Sequence, residues 1–265
     1  MRKLRSNEER TRRFYDCLWQ NYTPEYAASK KHWALFFDPE EVLNKSVLDA
    51  GCGTGVFSII FARMGALSVV GIDISKRSLE RAQRQADQLG LQNATFQKVN
   101  MLRLPFTDAC FDIVWSWGSV HHTADPFGCL AELIRVLKPG GSLLVAVYRR
   151  TGLTFLHETL RKGLIRLPSK YWIPFSRFLS LVAAPGISLF KKRDKSRKGE
   201  KLEQLLFDWF FVPIRHSYLP EEIKSFLVKR GLVIKKYLPF SGRFNSTSNF
   251  IFKARKQTHL CQAPN

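Results

Sequence analysis

The sequence predicts a doubly wound α/β domain whose sheet is interrupted by a helical insertion and resumed by a closing hairpin. Three observations carry that reading. Short β-branched runs alternate with helical stretches through the first half of the 265-residue chain, the pattern of βαβ units and a parallel sheet. A loop with glycines at alternate positions, Gly51, Gly53 and Gly55, joins the first strand to the first helix of that alternation. Near the end, two strand-like runs stand close enough to pair as a hairpin.

Taken in order, residues 1–45 form an N-terminal helical cap, in which Phe14, Tyr15, Trp19 and Tyr22 recur on a helical period. Residues 46–150 form the core. Here "SVLDA" (46–50), "LSVVGIDI" (67–74), "TFQKVN" (95–100), "FDIVWS" (111–116) and "SLLVAVY" (142–148) read as strands. Residues 56–63, 76–89 and 127–137 read as helices, with Ser75 capping the second and "KPGG" (138–141) stopping the third. The strand period lapses over residues 151–219, which hold four prolines and read as a basic, apolar helical insertion or lid. Residues 220–255 return to the core with a helix that has Pro220 in its first turn and Gly231 at its end. The runs "LVIKKYLPF" and "STSNFIFKAR", joined through 241–245, then form the hairpin, and 256–265 is a frayed tail.

Composition narrows the function classes. Five scattered cysteines with no CxxC pair argue against a disulfide framework and a structural zinc site, and no metal is expected. The first residues lack the apolar segment of a secretory signal, and no run approaches the roughly 18 apolar residues of a membrane span. A cytoplasmic protein, peripheral to a membrane surface at most, is expected. The net charge of +20 favours an anionic partner. Residues 151–200 concentrate it, with eleven Lys or Arg against three acids, and three roles stand open for that segment: a lid over the active site, a peripheral contact with an anionic membrane, or a contact with RNA.

The glycine loop constrains the ligand. A dinucleotide site needs a third small residue where this chain has Val56, and it places a pyrophosphate at the following helix. Instead, Asp49 closes the first strand, where a carboxylate repels phosphate and suits an ammonium group. Asp73 closes the next strand, at the place where a doubly wound fold holds both hydroxyls of a ribose. A ribose at one end and an amine at the other, with no phosphate between, describe S-adenosylmethionine.

The motifs "VLDAGCGTG", "VVGIDIS", "LPFTDACFDIVWSWGSVHH" and "ELIRVLKPGGSLLVAVY", in that order, resemble those of the class I S-adenosylmethionine-dependent methyltransferases, specifically the branch of the ubiquinone and menaquinone C-methyltransferases. The resemblance spans Val47 to about Tyr148. It implies a Rossmann-like seven-stranded sheet with the last strand antiparallel. It also implies that Asp49, Gly51, Gly53 and Gly55 line the methionine half of the cofactor, that Asp73 holds the ribose and that Ile74 packs on the adenine. The family's adenine-contacting acid falls on Asn100, whose amide can accept from the adenine amino group and donate to a ring nitrogen. The resemblance further implies that Met101 and Leu102 flank the base and that Ser116 and Trp117 stand beside the methionine and methyl group.

Methyl transfer from a sulfonium is an in-line displacement that chiefly needs alignment and exclusion of water. A phenol, enol or carbon nucleophile also needs a proton removed, and His121 and His122 are the candidates for that base, with packing as their alternative role. Tyr15 and Tyr22 of the cap are candidates to close the methyl pocket. Arg215, His216 and Tyr218, after the insertion, are candidate acceptor contacts. The acceptor expected is a small or lipid-like molecule such as a quinone precursor, isoprenoid or glycolipid. An RNA acceptor, suggested by the charge, lacks a recognisable RNA-binding module, and a non-catalytic cofactor-binding or assembly protein rests on Asn100 alone.

Overall fold

In the computed structural model, residues 2–21, 36–152, 154–191, 202–239 and 249–258 are described. The helices are α1 (Arg2–Asn21), α2 (Pro39–Val42), α3 (Val56–Arg63), α4 (Lys76–Gln88), α5 (Pro126–Val136), α6 (Thr154–Leu164), α7 (Trp172–Lys191), α8 (Leu202–Phe211) and α9 (Pro220–Lys229). The strands are β1 (Ser46–Ala50), β2 (Ser68–Asp73), β3 (Ala94–Lys98), β4 (Phe111–Trp117), β5 (Leu137–Tyr148), β6 (Leu232–Pro239) and β7 (Asn249–Lys256).

All seven strands join one sheet in the order β3-β2-β1-β4-β5-β7-β6. β1 to β5 are mutually parallel, and β7 runs antiparallel to both β5 and β6. The hairpin read from the sequence therefore completes a seven-stranded sheet, although its turn, 241–245, lies outside the described residues. Strand order reverses at β1, between β2 and β4. At such a switch point the connections diverge to opposite faces and leave a crevice beyond the carboxyl ends of the strands.

Both faces of the sheet are covered because the parallel strands are apolar on both sides. One face packs Leu48, Ile72 and Val114 against Leu130 and Leu133 of α5 and Ile223 and Leu227 of α9. The other packs Val47, Trp115 and Leu144 against Phe61 of α3, Ala86 of α4 and the Phe36–Phe37 pair. Ser75 caps α4 as expected, its hydroxyl accepting from the Ser78 amide at 3.2 Å. The "KPGG" stretch departs from its expected role. α5 ends at Val136 and β5 begins immediately at Leu137, so residues 138–141 lie inside the strand. Gly140 takes φ +76°, and the register between β4 and β5 slips between Phe111 and Ile113. The glycines thus serve a bulge at the strand's entry rather than a loop.

A smaller core lies apart from these two. Phe14 and Leu18 of α1 pack on Trp172, Phe207, Phe211 and Val212 of the insertion, with the Phe14 and Phe207 rings stacked 5.0 Å apart. The N-terminal cap and the insertion thus share one apolar cluster. Among the described residues, no helix is long and apolar enough to cross a membrane.

Candidate active site

The switch-point crevice is a cleft of about 510 Å³, within the range of small-molecule and cofactor sites. Its floor is the loop after β1. Gly51, Gly53 and Gly55 all take positive φ, at +76°, +53° and +79°, a region closed to most side chains. Gly51 has a second constraint, because a Cβ there would overlap the Ser119 side chain. The Gly51 and Cys52 amides donate to the Ile72 carbonyl at 2.8 and 2.9 Å. That pairing folds the loop back over the end of β2.

Asp73 is the acidic group beside the glycine floor of the cleft. One of its oxygens accepts from the Gly53 amide at 2.9 Å and the other from the Ser75 amide at 2.8 Å, and each keeps a lone pair for a ligand hydroxyl. Burial raises its pKa, and those backbone donors oppose the rise. Next along the wall, Asn100 accepts from the Leu102 amide at 2.9 Å through Oδ1, which fixes the turn carrying Met101 and Leu102 into the cleft. This turn is held from behind. Glu132 of α5 accepts from the Leu104 amide at 3.0 Å, and Arg135 donates to the Leu104 and Phe106 carbonyls at 3.1 and 2.8 Å. The Glu132 and Arg135 of the "ELIRV" motif are therefore clamps on a loop that lines the cleft.

Asp49 and Ser116, two of the residues expected to line the methionine end, lie beneath the surface instead. Asp49 is 1% exposed and accepts from the Ser58 hydroxyl at 2.6 Å, one turn into α3. Burial pushes its carboxyl up to about 7, against the pull of Ser58. Ser116 is fully buried, donating to the Ala50 carbonyl at 3.1 Å with Ser119 at 2.8 Å. Gly55 is also outside the cleft, where a Cβ would strike Ala82 and Phe96, so its need is helix packing. Gly51, Gly53, Asp73, Ile74, Asn100, Met101, Leu102 and Trp117 are brought together as lining of the cleft.

The Asp49 carboxyl yields a pH prediction. A carboxyl whose folded pKa is raised to about 7 stabilises the protein below its unfolded pKa and loses that contribution as pH rises through 7. The ligand-free protein with Asp49→Asn is therefore expected to gain stability over the wild type between pH 4 and 8, by up to ~4 kcal/mol. Thermal unfolding of both proteins across that range measures it, and parallel pH profiles would contradict it.

The opposite wall separates the two histidines. His122 lines the cleft, and its Nδ1 lies 2.7 Å from the Ile214 carbonyl. A carbonyl oxygen only accepts, so Nδ1 carries the proton and Nε2 is left with a lone pair. Burial lowers the His122 pKa to about 3, with the Ile214 hydrogen bond opposing and Arg215, Arg161 and His216 adding to the shift. His121 is fully buried behind it, its ring tilted against that of Tyr148 with 4.0 Å between centroids, and its nitrogens have no partner among the described residues. Only His122 reaches the cleft. Tyr15 faces it from α1, 5.9 Å away between ring centroids. Burial raises the Tyr15 pKa well above 10, so the phenol remains a hydrogen-bond donor. Tyr22 lies outside the described residues.

The segment following α8 contributes to the cleft, but through a different residue than expected. Ile214 lines it, whereas Arg215, His216 and Tyr218 turn away. Arg215 lies over the Tyr148 ring at 4.3 Å and donates to His157 at 2.6 Å and Glu158 at 3.2 Å. The His216 amide donates to the His121 carbonyl at 2.9 Å. Tyr218 is buried with α5 and α9, its ring edge-on to Phe127. The sequence reading also missed the polar rim supplied by α1. Glu8, Glu9 and Arg12 stand on the cleft, Arg12 held by Glu9 at 2.6 Å and Asp16 at 3.2 Å. Glu8 and Arg12 precede Tyr15 by seven and three positions, so extending the Tyr15 helical stripe would have found them.

Residues 42–172 match the family described as a methyltransferase domain. That segment, close to half of the chain, is similar to methyltransferase domains. The 27-O-demethylrifamycin SV methyltransferase of Amycolatopsis mediterranei is 38% identical over 98 residues, 37% of this chain and 36% of its own length. The chloroplastic tocopherol O-methyltransferase of Arabidopsis thaliana is 34% identical over 125 residues, 47% of this chain and 36% of its own length. The chain thus spans little more than a third of each of these relatives. The solved S-adenosylmethionine-dependent methyltransferase of Mesorhizobium loti superposes with a TM-score of 0.57 at 16% identity, over 86% of this chain and 98% of its own. That likeness concerns the fold over most of the chain.

Proposed function

We propose that the chain is an S-adenosylmethionine-dependent O-methyltransferase of a small, hydroxylated, largely apolar acceptor, of the quinone-precursor, isoprenoid or glycolipid type. The observation that carries this reading is the pairing of Asp73 and the glycine floor on one wall of the cleft with His122 on the other. The cofactor fits the first wall. Asp73 would accept both ribose hydroxyls, Ile74, Met101 and Leu102 would sandwich the adenine, and Asn100 would present its amide to the ring edge. Gly51 and Gly53 let the backbone approach the methionine half. The two relatives described above, named for methyl transfer to tocopherol and to an oxygen of a rifamycin, support an oxygen acceptor.

When bound, the cofactor supplies a methyl group activated by its sulfonium. The chain's own residues do the rest. Trp117 and Tyr15 wall off water around the reacting oxygen, and the fixed tautomer of His122 leaves Nε2 to accept the hydroxyl proton. As the oxygen–carbon bond forms and the carbon–sulfur bond breaks, that proton passes to Nε2. His122→Asn is expected to lower kcat by about a hundredfold with little change in cofactor affinity. Because His122 stays neutral above about pH 3, the wild-type rate is expected to show no falling limb near pH 6.5. A limb there that disappears in the variant would contradict the pKa assigned to this base.

Labelled methyl transfer from S-adenosylmethionine into hydroxylated isoprenoids, phenolic quinone precursors and glycolipids, alongside total RNA, tests the proposal. Label in an ether of one of the small acceptors is expected. Label confined to RNA would overturn the acceptor class, and label on carbon would overturn the oxygen assignment in favour of the C-methyltransferase branch.

A further inference from the structure

We propose that the outward faces of α6 and α7 dock this protein on the surface of an anionic bilayer. Both helices lay their inner sides against α8, and their outer sides are apolar where a water-facing surface is ordinarily polar. Phe155, Leu156 and Leu160 of α6 and Phe178, Leu181 and Val182 of α7 are exposed, Phe155 by 83% and Leu181 by 74%. Positions 155, 156 and 160, like 178, 181 and 182, fall on one stripe of their helix, so each helix is amphipathic with its apolar stripe turned outward. Tyr171, in the connecting turn, is half exposed as well.

The charges beside this surface point to its occupant. Lys162, Arg166, Lys170 and Arg177 are exposed on the same two helices and their connection. Glu158 is the sole acid from residue 151 to residue 191, and it is turned inward onto Arg161 and Arg215. Arg177 is met by Glu203 at 3.0 Å, which leaves Lys162, Arg166 and Lys170 as a basic rim without an exposed acid on their own elements. Exposed aliphatic and aromatic side chains ringed by cations match the acyl and headgroup layers of an anionic leaflet. A second copy would bring the same cations face to face, and a nucleic acid backbone would satisfy the cations while leaving the leucines, valine and phenylalanines in water. Since no described helix is able to span a bilayer, the helices lie in the interface. This inference is independent of the acceptor proposed above.

Co-sedimentation of the full chain with phosphatidylcholine vesicles, with and without phosphatidylglycerol, tests it. Binding is expected only to the anionic vesicles. The triple variant Lys162→Glu, Arg166→Glu, Lys170→Glu should weaken it by at least a hundredfold, since each cation near an anionic surface adds roughly tenfold or somewhat less. Phe155→Ser, Phe178→Ser and Leu181→Ser together should abolish the part of the binding that survives high salt. Both variants alter only exposed side chains, and an unchanged thermal midpoint confirms that they fold. Equal sedimentation of wild type and variants, or none of the wild type, would overturn the proposal. So would a dimer in solution, or retention on RNA, that the serine variants abolish while vesicle binding persists.

Discussion

Replacing Glu158 by alanine is expected to destabilise the protein by about 3–5 kcal/mol, the cost of leaving buried charges without their counter-ion. Glu158 accepts from Arg161 at 2.8 and 3.1 Å and from Arg215 at 3.2 Å, and both guanidiniums are almost wholly buried. Burial alone would raise its carboxyl, but His157, Arg161 and Arg215 together hold it at about 2. Because that folded pKa is depressed, its contribution is complete above the unfolded value and is lost as pH falls through 2. Urea unfolding at neutral pH measures the loss. The consequence reaches the cleft through the main chain. Arg161 also donates to the Val212 carbonyl at 2.6 Å and the Pro213 carbonyl at 3.2 Å, next to the Ile214 carbonyl that orients His122. The variant should therefore lose turnover beyond its loss of stability. A change below about 1 kcal/mol, the range of an exposed pair, would show that the cluster does not organise this wall.

The second large effect is expected at Asp73. Asp73→Asn keeps the size of the side chain but replaces one of the two acceptors with an amide donor. That donor then faces a backbone N–H now satisfied by the carboxylate, from Gly53 or from Ser75. Charge-assisted hydrogen bonds contribute roughly 1.5–3 kcal/mol each, so losing the ribose contacts should weaken cofactor binding by about a hundredfold or more. Stability without cofactor should change little in comparison, because the same burial that raises the Asp73 pKa already opposes the charge. Calorimetry with the folded variant reads the affinity directly, and wild-type affinity would remove Asp73 from the ribose site.

The strands and helices of the core were legible to within a few residues because βαβ patterning is local, carried by alternation, caps and turns that neighbouring residues define. The site was legible where the backbone itself is the feature. Gly51 and Gly53 announce a chain path that favours glycine, and Asp73 ends a strand at the edge of the cleft. What the sequence withheld depends on contacts between distant elements. Asp49 stands in the glycine motif, yet its carboxyl goes to Ser58 and not to the cleft. Arg215 lies in the segment that reaches the cleft, but Glu158, 57 residues away, draws its side chain toward α6. His121 and His122 are adjacent in sequence, and a main-chain carbonyl at Ile214, invisible to any residue-type pattern, separates their surroundings.

Binding of S-adenosylmethionine in the cleft at the carboxyl ends of β1 to β4 is read directly by calorimetric titration of the full chain with that compound. Saturable one-to-one binding is expected, retained by His122→Asn and weakened by about a hundredfold in Asp73→Asn. Absence of heat at millimolar cofactor in a folded sample, or binding that Asp73→Asn leaves unchanged, would contradict it.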